Sequence, residues 1–122
     1  MNMILFVLHD PEKLTALLDA WKEAGISGAT VLFSTGMGRI QQNQSLRDDL
    51  PLLPSLEDFY PKVENLSRTI FSVVDNDDVI EKVITATENV IGDLEQPDRG
   101  LFIVLPVSQV HGLRRFVQSN RK

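Results

Sequence analysis

The chain places short apolar runs and amphipathic stretches in an order that occurs twice. The first run, residues 3–8 (MILFVL), is apolar throughout, which is typical of a strand buried on both faces. Asp10 and Pro11 follow, and this pair favours the start of a helix. That helix is predicted to end at Gly25. Its apolar stripe consists of Leu14, Leu17, Leu18 and Trp21.

A second strand is predicted at residues 28–34 (GATVLFS), and the order then repeats. Residues 69–74 (TIFSVV) predict a strand, residues 75–78 (DNDD) cap a helix, and Gly92 ends that helix. Residues 101–105 (LFIVL) predict the fourth strand. The stripe of the second helix consists of Val79, Ile80, Val83, Ile84, Val90 and Ile91.

Superposing the two halves indicates a weak internal repeat of strand, helix and strand. It pairs Phe6 with Phe71, Asp10 with Asp75, Leu14 with Val79, and Leu18 with Val83. Two such units predict an α+β fold, the ferredoxin-like split βαβ-βαβ arrangement. Its four-stranded antiparallel sheet carries both helices on one face. Phe6 and Phe71 are expected in the core.

The apolar strands have a consequence for assembly. Residues 3–8 and 101–105 do not alternate between apolar and polar side chains, so both faces of the sheet need cover. Two helices cover one face. Association with further copies of the chain is the simplest way to cover the other face, so a homo-oligomer is predicted.

The connection between the halves, residues 40–66, is longer than the roughly 12–15 residues usual for a structureless loop. It begins polar and becomes apolar with three prolines. Two interpretations stay open: it packs on the domain or a neighbouring subunit, or it is an arm that binds a partner. A single domain over residues 1–122 is expected.

Composition excludes several classes of function. The 122-residue chain contains no cysteine, which excludes disulfides, thiolate metal sites and a cysteine nucleophile. Its net charge of −5 disfavours nucleic acid as a partner. No apolar run approaches the roughly 20 residues of a membrane span, and residues 1–13 do not resemble a signal peptide. A cytoplasmic protein without membrane insertion is expected.

Candidate chemistry is confined to glycines and cations near the strand ends. No nucleophile and base pair stands out, so an enzyme is not predicted, and the two histidines suggest no metal spacing. Glycines beside an arginine can turn the backbone and present N–H groups to an anion. Such residues are Gly36, Gly38 and Arg39 after the second strand, Gly92, Asp93 and Arg99 before the fourth, and Arg114 and Arg115 beyond it.

Two stretches resemble the P-II-type nitrogen regulatory proteins. Residues 25–39 (GISGATVLFSTGMGR) are similar to that family's strand-2 signature, G-[VI]-x-G-[MA]-T-V followed by G-F-G-R. Residues 89–110 (NVIGDLEQPDRGLFIVLPVSQV) resemble its pattern G-x-I-G-D-G-K-I-F-V-x-x-V-x-x-V. The similarity covers essentially the whole chain, with residues 40–66 in the place of the T-loop.

The resemblance implies a trimeric, non-enzymatic signalling protein. In that family ATP or ADP lies between subunits, and the nucleotide state reshapes the T-loop, which binds a partner protein. The ligand-binding positions that the resemblance implies here are Thr30, Gly36, Met37, Gly38, Arg39, Gly92 and Asp93, with basic residues near the C-terminus.

The chain departs from the family pattern where phosphate is bound. Gly92-Asp93-Leu94-Glu95 replaces G-D-G-K, so the lysine is lost, and Arg99 is a loose stand-in for it. Arg114 and Arg115 match the family's basic residues in type but not in register. The leading hypothesis is therefore a P-II-like regulator that binds a small anionic effector, an adenine nucleotide being one candidate. The alternative is a structural or metal-tolerance trimer that resembles the CutA-like proteins.

Overall fold

A computed structural model describes residues 1–38 and 66–113 and confirms the predicted fold class. One sheet has the strand order β2-β3-β1-β4, and every neighbouring pair is antiparallel. In each half of the chain, one α-helix connects the two strands. The elements are β1 (Asn2–Leu8), α1 (Leu14–Ala24), β2 (Thr30–Ser34), β3 (Ser67–Val74), α2 (Asp77–Ile91) and β4 (Leu101–Pro106).

A side-chain cap begins α2 and the 3-10 turn that precedes α1. Asp10 accepts a hydrogen bond from the Glu12 N–H at 3.0 Å and starts the 3-10 turn that leads into α1. Asn76 accepts one from the Asp78 N–H at 2.9 Å and starts α2. Each bond satisfies a backbone donor that the helix leaves without a partner. Gly25 ends α1 in the left-handed conformation, as the sequence predicts.

The core lies between one face of the sheet and both helices. Trp21 of α1 donates a buried hydrogen bond of 2.8 Å from its indole Nε1 to the Thr87 hydroxyl of α2. That hydroxyl donates to the Val83 carbonyl, so the one polar group of the Trp side chain is satisfied inside the core. The most buried apolar side chains are Ile4, Phe6, Leu8, Leu17, Trp21, Ile70 and Val83.

The other face of the sheet is apolar and has no helix over it. Leu5 pairs with Phe71 on one side and with Ile103 on the other, so these three side chains share this open face. They are half-buried, while Leu32 and Leu101 are 50% and 55% exposed. The expectation that Phe71 lies in the core is therefore wrong, because its strand neighbours Ile70 and Ser72 face the helices.

The structure also corrects the register of the internal repeat by one residue. Asp10 corresponds to Asn76 rather than to Asp75, because these two residues cap equivalent helices. The same shift brings buried positions into correspondence: Ile4 with Ile70, Leu8 with Val74, Leu17 with Val83, and Trp21 with Thr87. The sequence superposition matched Phe6 and Phe71 by residue type, although their side chains point to opposite faces.

Candidate functional site

The two loops expected to form the site lie at the same end of the sheet but on opposite edges. Ser34, the last residue of β2, pairs with Ser67, and Leu101, the first of β4, pairs with Val7 at that same end. Strands β3 and β1 separate the two edges. Three strand spacings amount to about 14 Å. One chain therefore does not bring the two loops together.

Gly36 and Gly38, which follow β2, are exposed. Neither has a positive φ, and a Cβ atom added to either would meet no described residue within 4 Å. Among the described residues, neither backbone conformation nor close packing demands glycine at these two positions. Met37 is 74% exposed. The Thr35 hydroxyl is buried and has no hydrogen-bond partner among the described residues.

The loop before β4 is held by its own hydrogen bonds. Asp93 accepts from the Glu95 N–H at 2.9 Å, and Glu88 of α2 accepts from the Leu94 N–H at 3.1 Å. These two carboxylates fix the first turn of the loop. The Asp93 side chain, which the resemblance implies is part of a ligand site, thus accepts a hydrogen bond from its own loop.

Arg99 closes the same loop against the end of α2. Its guanidinium Nη1 donates to the Ile91 carbonyl at 3.1 Å and lies 3.2 Å from where a Cβ atom on Gly92 would be. Gly92 has φ +106°, a conformation that favours glycine. The last turn of α2 has no basic residue of its own, so Arg99 supplies the cation at this helix C-terminus.

Gly100 has a steric role that the sequence reasoning missed. Its φ is +126°, and a Cβ atom there would lie 2.6 Å from the Val7 carbonyl oxygen and 2.7 Å from the Phe6 ring. The chain can start β4 beside β1 only with glycine at this position. The one sequence signal was an isolated glycine directly before an apolar run.

Thr30 lies apart from both loops, at the start of β2. Four residues separate it from Ser34, about 13 Å at the rise of a strand. It lines a pocket of about 350 Å³ on the open face, together with Phe71 and Ser72. Leu113, the last residue described after β4, lines the same pocket. A ligand that contacts both Thr30 and the loop after β2 must be elongated along this strand.

Sequence reasoning also missed a stacked pair at the start of β3. The Arg68 guanidinium lies 4.5 Å from the centroid of the Phe33 ring, and its Nη1 donates to the Leu66 carbonyl at 2.6 Å. Arg68 is buried although it is charged, whereas Phe33 is 62% exposed. The stacking holds the end of β2 against the start of β3, the two strand ends that the long connection joins. An exposed aromatic residue on a strand edge was the signal available.

The remaining predicted positions fall outside the described residues. These are Arg39, Arg114, Arg115 and residues 40–65 of the connection. In residues 1–38 and 66–113, no group of three or more His, Asp or Glu side chains is arranged to hold a metal ion. Within the same ranges, neither helix is long and apolar enough to cross a bilayer.

Comparison with known proteins identifies the family. The family described as "Nitrogen regulatory protein P-II" matches the chain over residues 1–116. A search of curated proteins finds no match. Because the family match covers nearly the whole chain, the protein belongs to the P-II family, as the two sequence stretches indicated. This finding lends no support to the CutA-like alternative.

Proposed function

We propose that the protein is a non-enzymatic P-II-type regulator of nitrogen-related signalling in the cytoplasm. It assembles as a homotrimer and binds a small anionic effector in the clefts between subunits, an adenine nucleotide such as ATP or ADP being the first candidate. Effector binding changes the connection, residues 40–66, and thereby its contact with a partner protein.

The placement of the two loops carries this proposal. They lie at one end of the sheet on opposite edges, about 14 Å apart by strand spacing. A neighbouring copy that sets its β4 edge beside the β2 edge of the first closes that distance. A rotation that repeats this contact closes a ring. Thr30, Gly36 to Arg39 and the neighbour's Gly92 and Asp93 then border one cleft.

The open face of the sheet supports the trimer. Leu32, Leu101 and Leu105 are 50%, 55% and 38% exposed, and half-buried apolar side chains lie between them. An apolar sheet face of this kind is unfavourable in water, and burial stabilises it by roughly 25 cal/mol per Å². Further copies of the same chain can cover this apolar face, and they are present wherever the protein itself is present.

The open surroundings of Gly36 and Gly38 support an anion site after β2. Within residues 1–38 and 66–113, no atom lies within 4 Å of a Cβ atom at either position. Backbone N–H groups there are accessible to a ligand, and Arg39 follows directly with charge-assisted donors. The proposal assigns Arg39 the main contact with the effector's anionic group, with Arg114 and Arg115 as further cations.

Calorimetry with ATP, ADP, AMP and cyclic nucleotides tests the effector. A bound nucleotide raises stability by about 2.7 kcal/mol at a hundredfold excess over its dissociation constant. Arg39→Ala should weaken binding at least tenfold. Lys22→Ala is the matched control, because it removes the same charge from an exposed position at the far end of α1. Equal losses in both variants would contradict the site.

Light scattering on the purified protein tests the assembly. The proposal expects three times the chain mass of 13.7 kDa. A monomer at micromolar concentration would refute both the trimer and any cleft between subunits.

A further inference from the structure

The loop before β4 carries the wrong charge for a chain of phosphates. Residues 92–100 contain three carboxylates, Asp93, Glu95 and Asp98, and one cation, Arg99. All four side chains are exposed. Whatever approaches this loop therefore meets a net negative surface.

The backbone of the loop is held by several contacts of its own. Asp93 is held by the Glu95 N–H, Leu94 by the Glu88 carboxylate, and Arg99 by the Ile91 carbonyl. Asp98 occupies a left-handed conformation with φ +62°, and Gly92 one with φ +106°. With hydrogen bonds at both ends and two constrained backbone positions, the loop has one preferred shape.

The one cation of the loop is already engaged. The Arg99 guanidinium donates to the Ile91 carbonyl and packs over Gly92. It therefore already offsets the partial negative charge at the C-terminus of α2, and less of its positive charge is available to a ligand. A lysine at the position of Glu95 would add a cation, whereas the glutamate adds a like charge.

From this geometry we infer that the loop makes the effector site selective for a single phosphate group over a polyphosphate. The inference rests on the proposed cleft. The first phosphate of a nucleotide reaches Gly36 to Arg39 on the β2 side. Each further phosphate extends toward the neighbour's residues 92–100, where Coulomb repulsion from three carboxylates weakens binding. The effector class is therefore a nucleoside monophosphate rather than a triphosphate.

Titration calorimetry of the full chain with AMP and ATP, without divalent cations, tests this selectivity. AMP should bind the native protein more tightly than ATP. Glu95→Lys should raise the ratio of ATP affinity to AMP affinity by about tenfold, because it reverses one charge near the outer phosphates. Glu95→Gln should give a smaller change in the same direction. The Glu95 side chain supplies none of the hydrogen bonds that hold the loop, so both variants should keep its shape.

Glu23→Lys is the matched control. It makes the same charge reversal at an exposed site near the end of α1, which lies at the opposite end of the sheet. It should leave the ratio unchanged. Tighter binding of ATP than of AMP by the native protein overturns the inference and leaves the proposed cleft standing. A ratio of ATP affinity to AMP affinity that Glu95→Lys does not change also overturns the inference and leaves the proposed cleft standing. If neither nucleotide binds, the inference and the nucleotide candidate fail together.

Discussion

Two glycine-bearing loops lie at one end of the same sheet, and they use their glycines in opposite ways. In the loop before β4, Gly92 and Gly100 have positive φ, and Gly100 touches Val7 and Phe6. In the loop after β2, Gly36 and Gly38 have ordinary φ, and no described residue lies close to an added Cβ atom at either position. Within residues 1–38 and 66–113, the fold requires glycine in the first loop and not in the second.

This difference separates residues that build the fold from residues available for contacts beyond it. Where close packing or a positive φ requires glycine, the fold alone accounts for that residue. A glycine without steric need leaves the backbone accessible, either to a ligand or to another copy of the chain. Gly36 and Gly38, which no described contact accounts for, therefore lie on the β2 side, where the anion contact is proposed.

Gly100→Ala should produce the largest effect. A Cβ atom would lie 2.6 Å from the Val7 oxygen, in a backbone conformation of φ +126°. Strain and overpacking together should lower the free energy of unfolding by about 2–5 kcal/mol. Urea denaturation monitored by the fluorescence of Trp21 measures this change.

Gly112→Ala is the matched control for Gly100. Its φ is +90°, but no residue within 1–38 or 66–113 lies within 4 Å of an added Cβ atom. It should show the conformational cost alone, about 1 kcal/mol. If the two variants lose similar stability, close packing at Gly100 is not what selects glycine there.

Gly92→Ala should have an intermediate effect. The nearest atoms belong to the flexible Arg99 side chain at 3.2 Å, which can shift. We expect a loss of about 1–3 kcal/mol, most of it from the backbone conformation. A double-mutant cycle with Arg99→Ala isolates the contact between the two residues. A coupling energy near zero would show that Arg99 does not pack against Gly92 in solution.

Arg99→Ala should be milder still. It removes the hydrogen bond to the Ile91 carbonyl and the cation at the end of α2, together about 1 kcal/mol. Thermal unfolding of this variant beside Arg99→Lys measures it. The lysine variant should recover part of the loss, because it keeps the charge. A fully stable Arg99→Ala would mean that the arginine is not engaged by its own helix.

Gly36→Ala and Gly38→Ala should leave stability within about 0.5 kcal/mol of the native value, since none of the described residues lies within 4 Å of an added Cβ atom at either position. They should nevertheless weaken effector binding, because a methyl group there meets the ligand. Melting temperature and calorimetry on the same samples separate the two effects. A large loss of stability would show that these glycines serve the fold after all.

The sequence predicted the elements well because their signals are local. The cap at Asp10, the stop at Gly25 and the run at residues 101–105 each act within a few residues, and the structure has all three. Periodicity alone could not set which face of β3 is buried. Residues 69–74 are nearly all apolar, and only the pairing of Leu5 with Phe71 assigns the faces.

The candidate site was less predictable because its geometry is not local. Glycines look alike in a sequence, although Gly100 packs against β1 and an added Cβ atom at Gly36 meets none of the residues that the structure describes. The role of Arg99 depends on its distance to Ile91, eight residues away, across a loop whose path the sequence does not specify. The family pattern indicated these two segments. It could not show that Asp93 and Arg99 bind their own loop.

Cross-linking between introduced cysteines tests the central claim most directly, namely that the two loops meet between copies. The chain has no cysteine, and Met37 and Glu95 are exposed, one in each loop. The Met37→Cys/Glu95→Cys protein is treated with a bis-maleimide shorter than the roughly 14 Å that separates the two edge strands, which favours links between copies over a link within one chain. We predict a covalent trimer on a denaturing gel, with neither single variant exceeding a dimer. A double variant that stays monomeric on the gel, while light scattering shows a trimer, would contradict the account.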